Sequence, residues 1–308
     1  MGWGRGQVRY IIFTDTGSKK TGKNKVAGSG NLIIIDYSGT LSLEMVRFGC
    51  SDTLMKHLEE TGLCGLGVSS VEIFWNSIVN PSWEEGSTTG KGYQKLLLER
   101  ISRLYRSFRS SPDPGRLESA VKDFCSRYFS GSVIDPAWTG LFRFLGDMAE
   151  TITVIATDHY AEATDSIIRH LGKLEIPAAS VCSPDAGKGN TEKPVFVANS
   201  ADIGALKSSS VFWKSVLGRL GMEKAGRIIL IDDFGHNEQK NDPYGAAEKI
   251  KRRSRGTAEM LQSFSRDLVN AFPFFIDLDI CSEKDTFLYP AYRNLVRHAS
   301  GFVFNLLS

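Results

Sequence analysis

The most informative stretch of the chain is Leu32-Ile33-Ile34-Ile35-Asp36-Tyr37-Ser38-Gly39-Thr40-Leu41-Ser42. Its four consecutive aliphatic residues, three of them β-branched, predict a buried strand. The strand ends at the Asp36 carboxylate, and Gly39 then permits a tight turn. Continuous apolar strands of this kind are typical of parallel sheets, whose carboxyl-terminal edge carries the functional groups.

Two further runs follow the same design. Ile152-Thr153-Val154-Ile155-Ala156-Thr157-Asp158 reaches a hydroxyl at Thr157, and Ile228-Ile229-Leu230-Ile231-Asp232-Asp233 ends in adjacent carboxylates. Further strands are predicted at 8–13 and 272–278, and helices at 138–151, 161–171 and 211–220. Because buried strands alternate with amphipathic helices, we predict an α/β fold, with a three-layer, Rossmann-like parallel sheet flanked by helices.

Between residues 49 and 138 the apolar spacing is helical, most clearly over 93–108. This pattern predicts a mainly helical domain inserted into the α/β core. The predicted organisation is an N-terminal strand and basic loop at 1–31, an α/β core at 32–48 and 139–308, and a helical cap at 49–138. An insertion of this size is compatible with a domain of its own.

The composition is that of an ordinary globular protein. The 308 residues are 42% hydrophobic, which excludes disordered and fibrous classes, and 37 basic against 35 acidic residues leave a net charge of only +2. The five cysteines are scattered, which predicts unpaired thiols in a reducing compartment. The apolar run at 10–13 is too short for a secretory signal or a membrane span, so we expect a cytoplasmic protein without a membrane partner.

The ordered set of strand ends carries a resemblance to a known family. Asp36-Tyr37-Ser38-Gly39-Thr40, then Thr157, then Asp232-Asp233 resemble the motifs of the haloacid dehalogenase-like (HAD) hydrolase superfamily. That family also has a lysine before the helix that leads into its fourth strand. Lys207 matches it best, with Lys193 and Lys188 as alternatives. The likeness covers about residues 32–48 and 141–240, and the helical segment takes the place of the family's cap.

The resemblance implies a Mg²⁺-dependent hydrolase, phosphatase-like, that acts on a phosphorylated small molecule. Asp36 would attack phosphorus and form an aspartyl-phosphate, with Thr157 and Lys207 completing the catalytic set. The implied Mg²⁺ ligands are the Asp36 carboxylate, the Ser38 carbonyl and Asp232, with Asp233 binding through water or orienting the others. The implied phosphate-binding residues are Ser38, Gly39, Thr40, Thr157 and Asp158.

One position departs from the family pattern. Family members that hydrolyse ordinary phosphomonoesters usually carry a second Asp two residues after the nucleophile, where this chain has Ser38. The alternatives are therefore phosphonate or carbon–halogen cleavage, phosphotransfer, or a binding protein without turnover. Asp158 and His159 could supply the missing proton transfer, or they could simply begin the following helix.

Two basic stretches remain. Residues 17–24 nearly match a nucleotide-binding loop, but Asn24 stands where the metal-binding hydroxyl is required, which favours a mobile basic loop. Residues 249–255 form a dense basic run that could contact nucleic-acid phosphates, although such runs are usually solvated helix faces. We expect a small phosphorylated substrate and no nucleic-acid partner, and the sequence does not specify the oligomeric state.

Overall fold

The structure is a computed structural model that describes residues 11–12, 30–106, 113–184, 193–238, 243–282 and 286–308. Its strands are β1 (Ile11–Ile12), β2 (Asn31–Asp36), β3 (Thr151–Thr157), β4 (Ala178–Ser180), β5 (Val195–Asn199), β6 (Arg227–Asp232) and β7 (Asn270–Pro273). Its helices are α1 (Leu43–Phe48), α2 (Ser51–Glu60), α3 (Val71–Ile73), α4 (Trp83–Thr88), α5 (Tyr93–Arg106), α6 (Pro114–Gly131), α7 (Thr139–Asp147), α8 (Glu162–Lys173), α9 (Ser200–Ile203), α10 (Ser210–Arg219), α11 (Pro243–Gln262) and α12 (Leu288–Leu307).

The strands form one sheet in the order β1-β7-β6-β2-β3-β5-β4. The six strands from β7 to β4 are parallel, and only the short β1 runs antiparallel, beside β7. This arrangement confirms the predicted α/β fold. Strand β2 lies in the middle of the sheet, so the residue at its carboxyl end has a neighbouring strand on both sides.

Side chains of β2 alternate between two hydrophobic cores. Ile33 and Ile35 belong to one cluster together with Trp138, next to α7, whereas Leu32 and Ile34 belong to a second cluster with Trp213 of α10. Because both faces of the sheet are covered, the strand is apolar throughout, as expected for a central parallel strand. The result is the predicted three-layer arrangement.

The described elements between β2 and β3 are all helical, and their division into a separate cap stays a prediction. One contact shows how this segment joins the sheet. Glu162, at the start of α8, accepts hydrogen bonds from the backbone N–H groups of Tyr93 (2.8 Å) and Gln94 (3.2 Å). It therefore caps the amino end of α5 from a helix on the other side of the insertion.

Some predicted elements have different bounds. The expected helix at 138–151 is shorter, as α7, and the expected strand at 272–278 ends at Pro273. The sequence interpretation also missed β4 and β5. Of the predicted strand at 8–13, only Ile11–Ile12 lies in the described chain. The loop-like stretch at 17–24 and the alternative lysine at 188 lie outside the described residues.

The expectation of unpaired cysteines is wrong for one pair. Cys50 and Cys281 form a disulfide with their Cα atoms 5.5 Å apart, although they are 231 residues apart in sequence. Cys64, Cys125 and Cys182 are free. The inference of a reducing compartment rested on the absence of pairs and loses that basis. Within the described ranges, every helix is too short or too polar to cross a membrane.

Candidate active site

The register of the sheet brings the predicted strand ends together. Ile35 pairs with Ile155 of β3 on one side and with Ile231 of β6 on the other. Asp36 therefore lies between the ends of these strands, next to Thr157 and Asp232. All three side chains are buried, with 5%, 1% and 6% of their surface exposed, respectively.

Three carboxylates converge at this edge. Asp36, Asp232 and Asp233 each present a ligand oxygen, and these oxygens lie within 4.8 Å of one another. Backbone amides orient the acidic pair, because Asp232 accepts from Phe234 N–H (2.6 Å) and Asp233 accepts from Gly235 N–H (3.0 Å). The turn that supplies these amides is left-handed, with φ of 53° at Phe234 and 78° at Gly235.

The Lys207 ammonium group lies among these acids. Its Nζ atom bonds to Asp36 Oδ1 and lies 3.3 Å from Asp232 Oδ2. By contrast, Lys193 donates to the backbone carbonyls of Met148 and Ala149, after α7, away from the acids. Between these two alternatives for the third motif, the structure brings Lys207 to the site.

The backbone of Lys207 is held on both sides. Asp158 Oδ1 accepts its N–H (2.7 Å), and its carbonyl accepts from the Trp213 indole N–H (2.8 Å). These bonds connect the Lys207 loop to the segment after β3 and to α10. They fix the point from which the lysine side chain extends toward Asp36.

The electrostatics of the site reflect an excess of negative charge. Burial, reinforced by Asp232 and Glu238 and opposed by Lys207, raises the pKa of Asp36 to about 7. Burial and the same acidic surroundings raise the pKa of Asp233 well above its ordinary value. Burial acts to lower the pKa of Lys207, but the facing carboxylates outweigh it and raise that pKa. Three buried carboxylates against one ammonium fit a hard divalent cation such as Mg²⁺.

Gly39 lies in the tight turn that follows Asp36. A Cβ atom at this position would lie 2.7 Å from Asp233 Oδ2, so glycine allows the turn to pack on the acidic pair. Gly39 N–H donates to the Ser42 carbonyl (3.0 Å), and a contact of Gly39 with a phosphoryl oxygen stays a prediction. Thr40 is fully buried, and its carbonyl accepts from the Tyr292 hydroxyl (2.7 Å).

Ser38 has an acidic neighbour that the sequence interpretation did not identify. Its hydroxyl donates to Glu238 Oε1 over 2.6 Å. Glu238 lies five residues after Asp233, in the same loop as the acidic pair, and that proximity in sequence was the available signal. Ser38 is therefore in contact with a carboxylate from another loop.

Asp158 and His159 do not begin the following helix, because α8 starts at Glu162. Asp158 anchors Lys207, as described above. His159 is buried, and its Nδ1 accepts the N–H of Tyr160 (2.8 Å), so its Nε2 carries the proton and donates to the Tyr128 hydroxyl (2.9 Å). Burial lowers the pKa of His159 to about 4, so this ring is neutral and structural at pH 7.

Asn237 is a second residue that sequence reasoning missed. Its buried amide donates to the carbonyls of Gly39 (2.8 Å) and Phe274 (2.9 Å) and accepts the N–H of Ile276 (2.9 Å). It thereby ties the loops after β2, β6 and β7 together. Its position four residues after Asp233 marked it as part of the loop, but nothing in the sequence indicated these partners.

Comparison with known proteins adds a distant likeness. No family model and no curated protein matches the chain. Among solved structures, the chain is similar to YfnB from Bacillus subtilis, a protein assigned to the HAD-hydrolases, in a crystal structure bound to magnesium. The sequences are 14% identical, the match covers 70% of this chain and 91% of that one, and the TM-score is 0.39.

Proposed function

We propose that the protein is a Mg²⁺-dependent hydrolase that removes a phosphoryl group from a small molecule through an aspartyl-phosphate at Asp36. The observation that carries this proposal is the convergence of Asp36, Lys207 and the Asp232-Asp233 pair at the carboxyl edge of one parallel sheet. This combination offers a buried nucleophile, a cation beside it and an acidic pair suited to a metal.

Each group has a distinct part in the proposed reaction. An Asp36 carboxylate oxygen forms a bond to phosphorus while the ester P–O bond breaks, and the leaving oxygen takes up a proton from solvent water. Water then attacks phosphorus, the bond to Asp36 breaks, and inorganic phosphate leaves. In this proposal Lys207 balances negative charge on the phosphoryl oxygens, and Thr157, at the adjacent strand end, donates to one of them.

Mg²⁺ would be held by Asp36 and Asp232, with the Ser38 carbonyl as a further predicted ligand and Asp233 orienting the group. When bound, the ion neutralises the carboxylates so that a phosphate dianion can approach the nucleophile. The three acidic side chains already have backbone amides and Lys207 holding them in place.

A second candidate function follows from Ser38. A binding protein without turnover, or an enzyme that cleaves a phosphonate or carbon–halogen bond, would not need a carboxylate at this position. The phosphatase and the binding protein are distinguished by whether inorganic phosphate is released. Phosphate release from aryl phosphates supports the phosphatase, whereas tight binding of beryllium fluoride with Mg²⁺ and no turnover supports the binding protein.

The central experiment replaces the nucleophile. Asp36→Asn should abolish phosphate release from an aryl phosphate and prevent acid-stable labelling of the protein by a ³²P-labelled substrate. Asp147→Asn, which changes an exposed aspartate at the end of α7, is the matched control and should retain full activity. Turnover that persists in Asp36→Asn would disprove the assignment.

A further inference from the structure

The basic run of the sequence lies on α11, and its charges face outward. Ile250, Ser254, Ala258 and Leu261 are buried, and this helical spacing turns one face of α11 to the core. The intervening side chains of Lys251, Arg252, Arg253 and Arg255 are exposed. A solvated basic face is what the sequence predicted for this segment, but one member of it makes a different set of contacts.

Arg253 reaches the turn that carries the acidic pair. Its Nη1 atom donates to the carbonyl of Phe234 (3.3 Å), the residue directly after Asp233. Gly235 makes room for this approach, because a Cβ atom there would lie 2.4 Å from Arg253 Nη1. The guanidinium group is therefore held at the rim of the proposed active site by the loop that positions Asp232 and Asp233.

The charge of the Arg253 guanidinium group also acts on Asp158, a carboxylate that follows β3. Burial raises the pKa of Asp158, and Lys207 and Arg253 both act against that rise. Asp158 follows β3 and holds the Lys207 backbone, whereas Arg253 is on a helix that follows β6. Arg253 thus contacts the turn that carries Asp232 and Asp233, and its charge acts on the residue that holds the Lys207 backbone.

Lys207 and Arg253 differ in whether their charge is already paired with a carboxylate. Lys207 is neutralised by Asp36 and Asp232. Arg253 forms an ion pair with none of the carboxylates in the described part of the chain, whereas its neighbour Arg255 is paired with Glu259 (2.7 Å). A guanidinium has five N–H donors, and one bond to the Phe234 carbonyl leaves others for a carboxylate or phosphate.

We propose that Arg253 is a specificity-determining residue that binds a second anionic group of the substrate, a carboxylate or another phosphate, while the first phosphate reacts at Asp36. This inference rests on the proposed function and narrows its substrate class to small molecules with two anionic groups. A paired arginine–carboxylate contact of this kind discriminates strongly against a neutral analogue, because the arginine is then left without its partner.

The test uses two probes that are not hydrolysed, phenylphosphonate and 4-carboxyphenylphosphonate, with the full-length protein and Mg²⁺ in a calorimeter. The native protein should bind the carboxylated probe about tenfold or more tightly than the plain one, the range expected for a charge-assisted bond. Arg253→Ala should remove that preference and leave phenylphosphonate binding within about twofold. Arg253→Lys should restore part of the preference for the carboxylated probe. Arg255→Ala, the matched control on the same helix, should keep the full preference.

Other outcomes separate this inference from the proposed function. Equal binding of the two probes by the native protein, or equal weakening of both in Arg253→Ala, overturns the role of Arg253 even if phenyl phosphate is hydrolysed. Failure of the native protein both to hydrolyse phenyl phosphate and to bind phenylphosphonate overturns the proposed function itself. Binding of a single-stranded oligonucleotide that Arg252→Ala and Arg253→Ala weaken alike would assign the basic face to nucleic acid and also overturn the proposal.

Discussion

Asp36, the proposed nucleophile, lies in an unfavourable electrostatic environment. Its carboxylate is buried beside Asp232 and within the field of Glu238, and Lys207 offsets only part of this. A protein that keeps such a group charged at neutral pH destabilises its own fold locally. Perturbed carboxylates of this kind are concentrated at functional sites, because a bound cation or substrate removes the conflict.

The raised pKa gives a prediction for stability without metal. The pKa of Asp36 is about 7 in the folded protein against an ordinary 3.8. Its contribution to stability is therefore complete at low pH and is lost as the pH rises through about 7. In EDTA, the melting temperature of the native protein should fall between about pH 4 and pH 7 relative to that of Asp36→Asn, in which this position stays neutral.

Titrating groups outside the site affect both proteins alike, so the difference between the two melting curves reports on Asp36 together with the carboxylates beside it. Mg²⁺ should reduce the fall in the native protein, because the ion favours the ionised carboxylate. Parallel pH profiles for the two proteins in EDTA would contradict the electrostatic account of Asp36.

The loops at the carboxyl edge of the sheet are joined to one another by a few polar side chains. Asn237 makes hydrogen bonds to the loops after β2 and β7 from the loop after β6, and Asp158 accepts a hydrogen bond from the backbone of Lys207. Buried side-chain amides with three satisfied bonds rigidify the segments that they join. The geometry of the acids therefore depends on contacts between elements as well as on each strand.

Removal of this link has a predicted cost. Asn237→Ala would leave the buried Gly39 and Phe274 carbonyls and the Ile276 N–H without their partner, so we expect a loss of about 2–4 kcal/mol in the free energy of unfolding. Asn294→Ala, which changes an exposed asparagine of α12, should alter that free energy by less than about 0.5 kcal/mol. Urea denaturation monitored by fluorescence gives both values, and similar values for the two variants would show that Asn237 is not a structural link.

At the scale of the whole molecule, the disulfide connects the inserted helices to the far side of the sheet. Cys50 directly precedes α2, and Cys281 follows β7, five residues beyond Ile276, which bonds to Asn237. The bond closes most of the chain into one loop. The disulfide therefore links the helical segment to the loop after β7, which is hydrogen-bonded to Asn237.

Reduction should measurably weaken the fold. Opening a loop this long is expected to cost about 2–4 kcal/mol, because the unfolded chain regains conformational freedom. Dithiothreitol should lower the melting temperature of the native protein and of Cys182→Ser, which changes a free cysteine. The double variant Cys50→Ala/Cys281→Ala should melt lower and should not respond to the reductant. A native protein that is indifferent to reductant would show that this bond contributes nothing to stability.

Local sequence patterns identified the main elements of the fold. The apolar runs that became β2, β3 and β6 are long and β-branched, and the three- and four-residue apolar spacing over 93–108 became α5. The same patterns missed β5, which follows directly after Pro194, and β4, which has three half-buried residues. Short strands carry too little local signal, and their pairing with neighbours defines them.

The sequence alone thus determined the parallel sheet, its three main strands and the acids and hydroxyl at the strand ends, because these follow from hydrophobic spacing along a few consecutive residues. Only the tertiary structure decided that Lys207 and not Lys193 meets Asp36, and that Glu238 contacts Ser38. It alone also paired Cys50 with Cys281 and brought Arg253 to the acidic turn. These outcomes depend on distances between residues far apart in the chain, which the packing of helices and loops establishes and which spacing along the sequence does not encode.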